Sequence, residues 1–285
     1  MLARCLVLLI LLFALPATAA SIADQPHTRV ELIAATRSPA PGRAFTVGVV
    51  LTPRPGWHTY WVQPGDAGMA PQPHWTLPGG AQAAPFRFPT PDTFLVAGIM
   101  NHVFKGPATL LADIRLPAGI SGPVPVGLQL DWLVCNDRLC VPESATLDLP
   151  LVVGDGAADP AAAPRLEAAR AVLPQPAAAG ARFALADGRV RIEVPVADTA
   201  AVRSAHFFPY ADDEILFAAP QRVARTDTAL IIDASAVNGA RPAVLRGVLR
   251  VEGPGGARGY RVEAAPGAVA AGRPLAAPAG ASAFL

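Results

Sequence analysis

Residues 124–153 read VPVGLQLDWLVCNDRLCVPESATLDLPLVV. Val124, Val126, Leu128, Leu130, Trp132 and Val134 alternate with Pro125, Gly127, Gln129, Asp131 and Leu133. Period two over that distance is a β-strand with one buried face. A second strand is expected over 145–153. Between them, Asn136 and Asp137 are turn formers, and a hairpin closed by residues 136–139 sets Cys135 opposite Cys140. Directly opposed residues have Cα atoms about 4.5–5.5 Å apart, within the span of a disulfide. Counting by twos puts Cys135 with Gln129 and Asp131, and Cys140 with Ser144, Thr146 and Asp148. Both sulfurs are therefore expected on the polar face. An accessible pair at a sheet end suits thiol–disulfide exchange. As a staple, so short a loop would add only about 2 kcal/mol. The C-x4-C spacing has no fixed identity. On the residues alone a redox pair, a hairpin staple and a metal-binding pair all stand.

The same reading extends outward. Short apolar runs at 29–34, 44–51 and 110–116 read as further strands, broken by Pro and Gly. Together they predict an all-β, immunoglobulin-like sandwich over residues 21–153. Residues 154–181 are dominated by Ala and Pro and read as an interdomain linker, with a short helix at 164–172. Strand patterns resume at 190–194, 205–208, 215–218, 229–232, 243–251 and 259–264. They predict a second, smaller β-sandwich-like domain over 182–264. Residues 265–285 are rich in Ala, Gly and Pro and are expected to be a disordered tail.

The N-terminus carries a different signal. Arg4, an apolar run over 6–15 and Ala17-Thr18-Ala19 form an export signal over residues 1–20. The run is too short for a transmembrane helix, which needs about 20 residues. Cleavage removes Cys5 and leaves Cys135 and Cys140 as the cysteines of an exported, non-membrane-spanning form. An oxidising compartment permits them to pair. The 23 Lys+Arg and 22 Asp+Glu nearly cancel, and Lys105 is the single lysine. With no basic run, nucleic acid is excluded as a partner. His27, His58, His74, His102 and His206 lack metal-ligand spacing. No phosphate-binding or dinucleotide motif occurs, so neither a cofactor nor a resident metal is expected. Met69 and Met100 join the cysteines as soft ligands suited to Cu(I). Trp57, Tyr60 and Trp61 read equally as core packing or as a binding surface.

Trp132-Leu133-Val134-Cys135 followed by Leu139-Cys140-Val141-Pro142-Glu143 resembles the N-terminal periplasmic region of the DsbD thiol:disulfide interchange family. Within that family the chain is most similar to the variant named ScsB, for suppression of copper sensitivity. Residues 55–61 (PGWHTYW), 64–68 (PGDAG), 88–91 (FPTP) and Phe207-Phe208-Pro209 carry the same resemblance. It implies an immunoglobulin-like sandwich with redox-active Cys135 and Cys140 on neighbouring strands. It further implies that Cys140 is the attacking sulfur, and that a cap around Pro91-Asp92-Thr93-Phe94 covers the pair until a partner docks. In that cap Phe94 is the shield and Asp92 a nearby acid. Trp57, His58, Tyr60, Trp132 and Pro142 are the supporting residues.

Full-length members continue into a membrane domain and a thioredoxin-like domain, and the sequence to Leu285 holds neither. A membrane-embedded or thioredoxin-like electron donor is therefore an expected partner. The acceptors are periplasmic proteins that contain disulfides. The expected function is a periplasmic thiol–disulfide carrier, with protein-disulfide reductase-like chemistry at Cys135 and Cys140. The alternative is a non-catalytic, partner-binding β-sandwich module with a structural disulfide, linked by resemblance to copper tolerance.

Overall fold

The computed structural model describes residues 20–275. The expected export signal, apart from residue 20, and residues 276–285 of the expected tail lie outside the described residues. The first domain comprises β1 (Ile22–Asp24), β2 (Thr28–Ala34), β3 (Ala44–Pro53), β4 (Thr59–Gly65), β5 (Gln72–Thr76) and β6 (Gln82–Ala83). It continues with β7 (Asp92–Val96), β8 (Ile99–Phe104), β9 (Ala108–Arg115), β10 (Pro123–Cys135) and β11 (Cys140–Val152).

Two sheets face each other, in the orders β1-β2-β3-β9-β6 and β11-β10-β5. The alternating residues of β10 project between them. Val126, Leu128, Leu130 and Trp132 pack with Leu32, Val47, Val49, Leu110 and Ile114 in one core. Each such side chain contributes about 1.5–3 kcal/mol on burial. The indole N–H of Trp132 donates to Thr28 Oγ1 at 3.2 Å, which satisfies its polar atom inside that core. A third sheet, β4-β8-β7, bears on the site. Its strands come from residues whose alternation is obscured by His, Asn, Pro and Gly.

The segment 154–181 is not a free linker. Helix α1 (Ala163–Ala171) carries Pro164 in its first turn, where the missing N–H costs nothing. Leu166, Ala169 and Leu173 then pack on Ile33 and Leu111, on the outer face of the first sheet. Gly48 leaves room for this contact, since a Cβ there would lie 2.5 Å from Leu166 Cδ2. The entry to the helix is tied down as well, by the Thr36–Ala158 bridge and by Asp159 N–H donating to Ala35 O at 2.8 Å.

The second domain comprises β12 (Gln175–Pro176), β13 (Arg182–Ala186), β14 (Arg189–Pro195), β15 (Ser204–Pro209) and β16 (Arg222–Arg225). It continues with β17 (Ala229–Ser235), β18 (Leu245–Gly253), β19 (Gly256–Pro266) and β20 (Arg273–Pro274). They join in the order β15-β18-β19-β13-β14-β17-β16-β20, with β12 pairing β19. One core draws Phe207, Leu249 and Val251 from one end of this order and Ile192, Leu230 and Ile232 from the other, giving a sandwich-like body. Two local expectations are corrected. Residues 215–218 form only an isolated bridge from Ile215 to Ala236. The chain after 265 begins in ordered form, because β19 runs to Pro266 and β20 pairs with β16.

Candidate functional site

Cys135 closes β10 and Cys140 opens β11, directly opposed in register. They form a disulfide with Cα atoms 4.1 Å apart. The turn between them is set by Asn136. Its Oδ1 accepts from the N–H groups of Arg138 and Leu139, each at 2.8 Å, and its own N–H donates to Leu139 O at 2.9 Å. Arg138 and Asp137 are exposed and 3.9 Å apart, a solvated pair on the turn.

The cysteines do lie on the face away from the main core. That face is not open, however. Cys135 is only 1% exposed, whereas Cys140 is exposed. The third sheet is what covers Cys135. His58, just before β4, exchanges both backbone hydrogen bonds with Cys135, at 2.8 and 3.0 Å. Period two then brings Tyr60 to the same face. Its hydroxyl donates to Cys135 Sγ at 2.9 Å and stands 3.9 Å from Cys140 Sγ. Burial pushes the Tyr60 phenol up, so the hydroxyl remains a protonated donor at neutral pH. The ring sits where Gly68 has no side chain, since a Cβ there would lie 2.1 Å from Tyr60 Cε1, and the Gly68 φ of +109° disfavours other residues.

His58 is buried, and burial, aided by the Lys105 charge, lowers its pKa to about 4, so the ring is neutral in ordinary conditions. It meets the Phe94 ring at 4.8 Å. Phe94 also packs on the cluster formed by Tyr60, Val103 and Cys135. The cap is therefore a β-hairpin, β7–β8, rather than a loop. Its turn uses Ala97 and Gly98, both at positive φ, as a two-residue hairpin requires.

The sequence-predicted residues thus divide. Tyr60, His58 and Phe94 gather at the disulfide. Trp57 instead packs against the His27 ring at 3.9 Å, Trp132 lies in the sandwich core, and Pro142 is exposed opposite Leu133. The Asp92 carboxylate is taken by Arg250 of the second domain. Tyr60 and Trp61 are 2% and 1% exposed, so they act as packing residues rather than as an open binding surface.

Two contributors were not read from the sequence. Asn101 is buried and donates from Nδ2 to Phe94 O and Ile99 O, each at 3.2 Å, while its Oδ1 lies 3.5 Å from the Tyr60 hydroxyl. It ties the cap to the tyrosine that touches the sulfur. Lys105 places its ammonium 5.4 Å from the centroid of the Phe94 ring. An Asn within an apolar run was the available signal for the first. Among the described residues, no three His, Cys, Asp or Glu side chains converge as metal ligands, and no helix is long and apolar enough to cross a membrane.

An exposed sulfur bonded to a buried one, with a hydroxyl donor on the buried partner, is an asymmetric arrangement. It favours attack at Cys140 and departure of Cys135. Residues 29–151 match the family described as thiol:disulfide interchange protein DsbD, N-terminal. Over these residues the chain is similar to a DsbD N-terminal domain. The matched stretch holds both disulfide cysteines, Tyr60 and the whole cap. The structure is similar to the N-terminal periplasmic domain of ScsB from Proteus mirabilis, with a TM-score of 0.68 at 17% identity. That likeness covers 87% of this chain and 98% of the other, so it extends past the matched stretch into the second domain. At this identity it speaks for the fold. No curated protein matches the sequence.

Proposed function

We propose that the protein is a periplasmic thiol–disulfide carrier that passes two electrons at a time through Cys135 and Cys140. The supporting observation is the asymmetry of the pair: Cys140 exposed, Cys135 buried and hydrogen-bonded by Tyr60.

In the loading half-reaction a donor thiolate attacks Cys140 Sγ. The internal disulfide breaks and Cys135 leaves as a thiolate, receiving the Tyr60 hydrogen bond where charge develops. A second donor thiol, once deprotonated, displaces the donor from Cys140. The donor departs as a disulfide and the pair is left as two thiols. In the delivery half-reaction the Cys140 thiolate attacks a substrate disulfide and expels one substrate thiol. Cys135 then attacks Cys140 Sγ, restores the internal disulfide and expels the second substrate thiol. Two electrons and two protons move in each cycle. A membrane-embedded or thioredoxin-like protein is the donor in this reading, and disulfide-containing periplasmic proteins are the acceptors. Export through residues 1–20 supplies the location.

Single-cysteine variants exposed to oxidised glutathione test the order of attack. Cys135→Ser, which keeps Cys140, is expected to form the mixed disulfide rapidly, and Cys140→Ser slowly. Rapid modification of Cys140→Ser with an inert Cys135→Ser would overturn the assignment.

The near-complete burial of Cys135 is also what a structural staple would display. A non-catalytic, partner-binding module is therefore the second reading. The reduction potential separates the two.

A further inference from the structure

The cap that covers Cys135 is gripped by the second domain. Arg250, in β18, donates from Nη1 to Pro91 O at 3.1 Å and to Asp92 Oδ1. Its Nε and Nη2 are occupied by Glu252 Oε1, at 3.1 and 2.6 Å. Glu252 thereby fixes the plane of the guanidinium and leaves Nη1 aimed at the first residue of β7. A rigid fork that serves two partners at once is a property of arginine that lysine lacks. Cross-strand from Arg250 stands Gly259. A Cβ at Gly259 would lie 1.9 Å from Thr90 Oγ1, so the two domains meet closely just ahead of the cap strand. Behind the other strands of the third sheet, Trp61 stacks on Tyr210 at 5.2 Å and His102 meets Phe208 at 4.9 Å. The cap is thus seated on the second domain at one edge and along its back. From Asp92 the chain needs only two residues to reach Phe94, which lies on the Cys135 cluster.

We propose that Arg250 is a positioning residue for the redox pair: by holding the start of β7 it seats Phe94 over Cys135, so that access to the buried sulfur is set by a contact from the second domain. This gives the second domain a role in the exchange chemistry, and it rests on the carrier reading only for its biological use. The physical claim concerns which sulfur is accessible.

The test uses the whole mature chain, reduced and then alkylated with iodoacetamide under native conditions, with Cys135 and Cys140 quantified separately by peptide mass spectrometry. Arg250→Met is expected to raise the Cys135 rate about tenfold or more, while the Cys140 rate changes less than twofold. Arg250→Lys should recover part of the protection, because an ammonium can reach Asp92 but cannot also hold Pro91 O and Glu252 in one plane. Asp92→Ala removes the side-chain half of that contact from the first domain and should raise the Cys135 rate in the same direction, which keeps the proposal testable if Arg250→Met fails to fold. Gly259→Ala, which must displace Thr90, should move the ratio in the same direction. An unchanged Cys135 to Cys140 ratio in a folded Arg250→Met or Asp92→Ala protein would overturn the proposal. So would an equal rise at both sulfurs, which would mean general loosening. Neither result bears on whether the pair exchanges electrons, which the reduction potential decides independently.

Discussion

Removing a single oxygen, in Tyr60→Phe, tests whether the tyrosine assists departure of Cys135. The ring is 2% exposed and would stay in place, so packing is nearly conserved. What is lost is the hydroxyl that donates to Cys135 Sγ at 2.9 Å. The Asn101 contact at 3.5 Å is at the outer limit of a hydrogen bond, and its loss costs little. A hydrogen bond to a neutral acceptor contributes about 0.5–1.5 kcal/mol, and one to a charged acceptor about 1.5–3 kcal/mol. The bond therefore strengthens by about 1–1.5 kcal/mol as the leaving sulfur gains charge. At about 1.4 kcal/mol per factor of ten, reduction of the disulfide should slow roughly 5- to 12-fold. The assay is pseudo-first-order reduction of the oxidised protein by dithiothreitol at fixed pH, sampled by rapid acid quench and alkylation. A Tyr60→Phe rate within twofold of the parent would refute the reasoning, because the hydroxyl would then bind both states of the sulfur equally.

Three further outcomes follow from the same geometry. Gly68→Ala forces the Tyr60 ring aside, so it should slow reduction at least as much as Tyr60→Phe and lower stability by about 1–3 kcal/mol, read from urea unfolding. Reduction of the disulfide should leave the fold intact and cost only about 2 kcal/mol, since the closed loop is short; unfolding of the first domain on reduction would contradict this. His102 is buried beside Trp61 and Phe208, and burial lowers its pKa to about 4 despite its bond to Gln63 O and the nearby Asp66 charge. The unfolded chain takes up a proton near pH 6.5 that the folded chain refuses until about pH 4. Stability contributed by the neutral ring is therefore complete above pH 6.5 and falls by about 3 kcal/mol between pH 6.5 and 4. His102→Gln should flatten that part of the profile in equilibrium unfolding, and an unchanged slope would count against it.

The sandwich was legible because its strands carry uninterrupted alternation. Residues 124–134 and 44–51 declare their buried faces with a large apolar residue at every second position. The disulfide hairpin was legible for the same reason, with Asn136 closing the turn. Accessibility of the sulfurs was not legible. Parity gives the face of Cys135, but the cover over that face comes from β4, β7 and β8, far away in sequence. Those strands mix His, Asn and Gly with apolar residues, and their pairing is a tertiary property. The partner of Asp92 was not legible for a similar reason: Arg250 is 158 residues distant. Helix α1 shows the intermediate case. Its position was readable from Pro164, yet its docking through Leu166, Ala169 and Leu173 depends on the gap left by Gly48 in another strand.

The central claim, that Cys135 and Cys140 form an exchanging pair, is tested most directly by the reduction potential of the mature protein. The oxidised chain is equilibrated in graded thiol buffers and its free cysteines are alkylated and counted. The carrier reading predicts a value between roughly −180 and −270 mV, the range of proteins that exchange disulfides. A value below about −300 mV is that of a structural disulfide; it would contradict the account and leave the partner-binding module as the reading that stands.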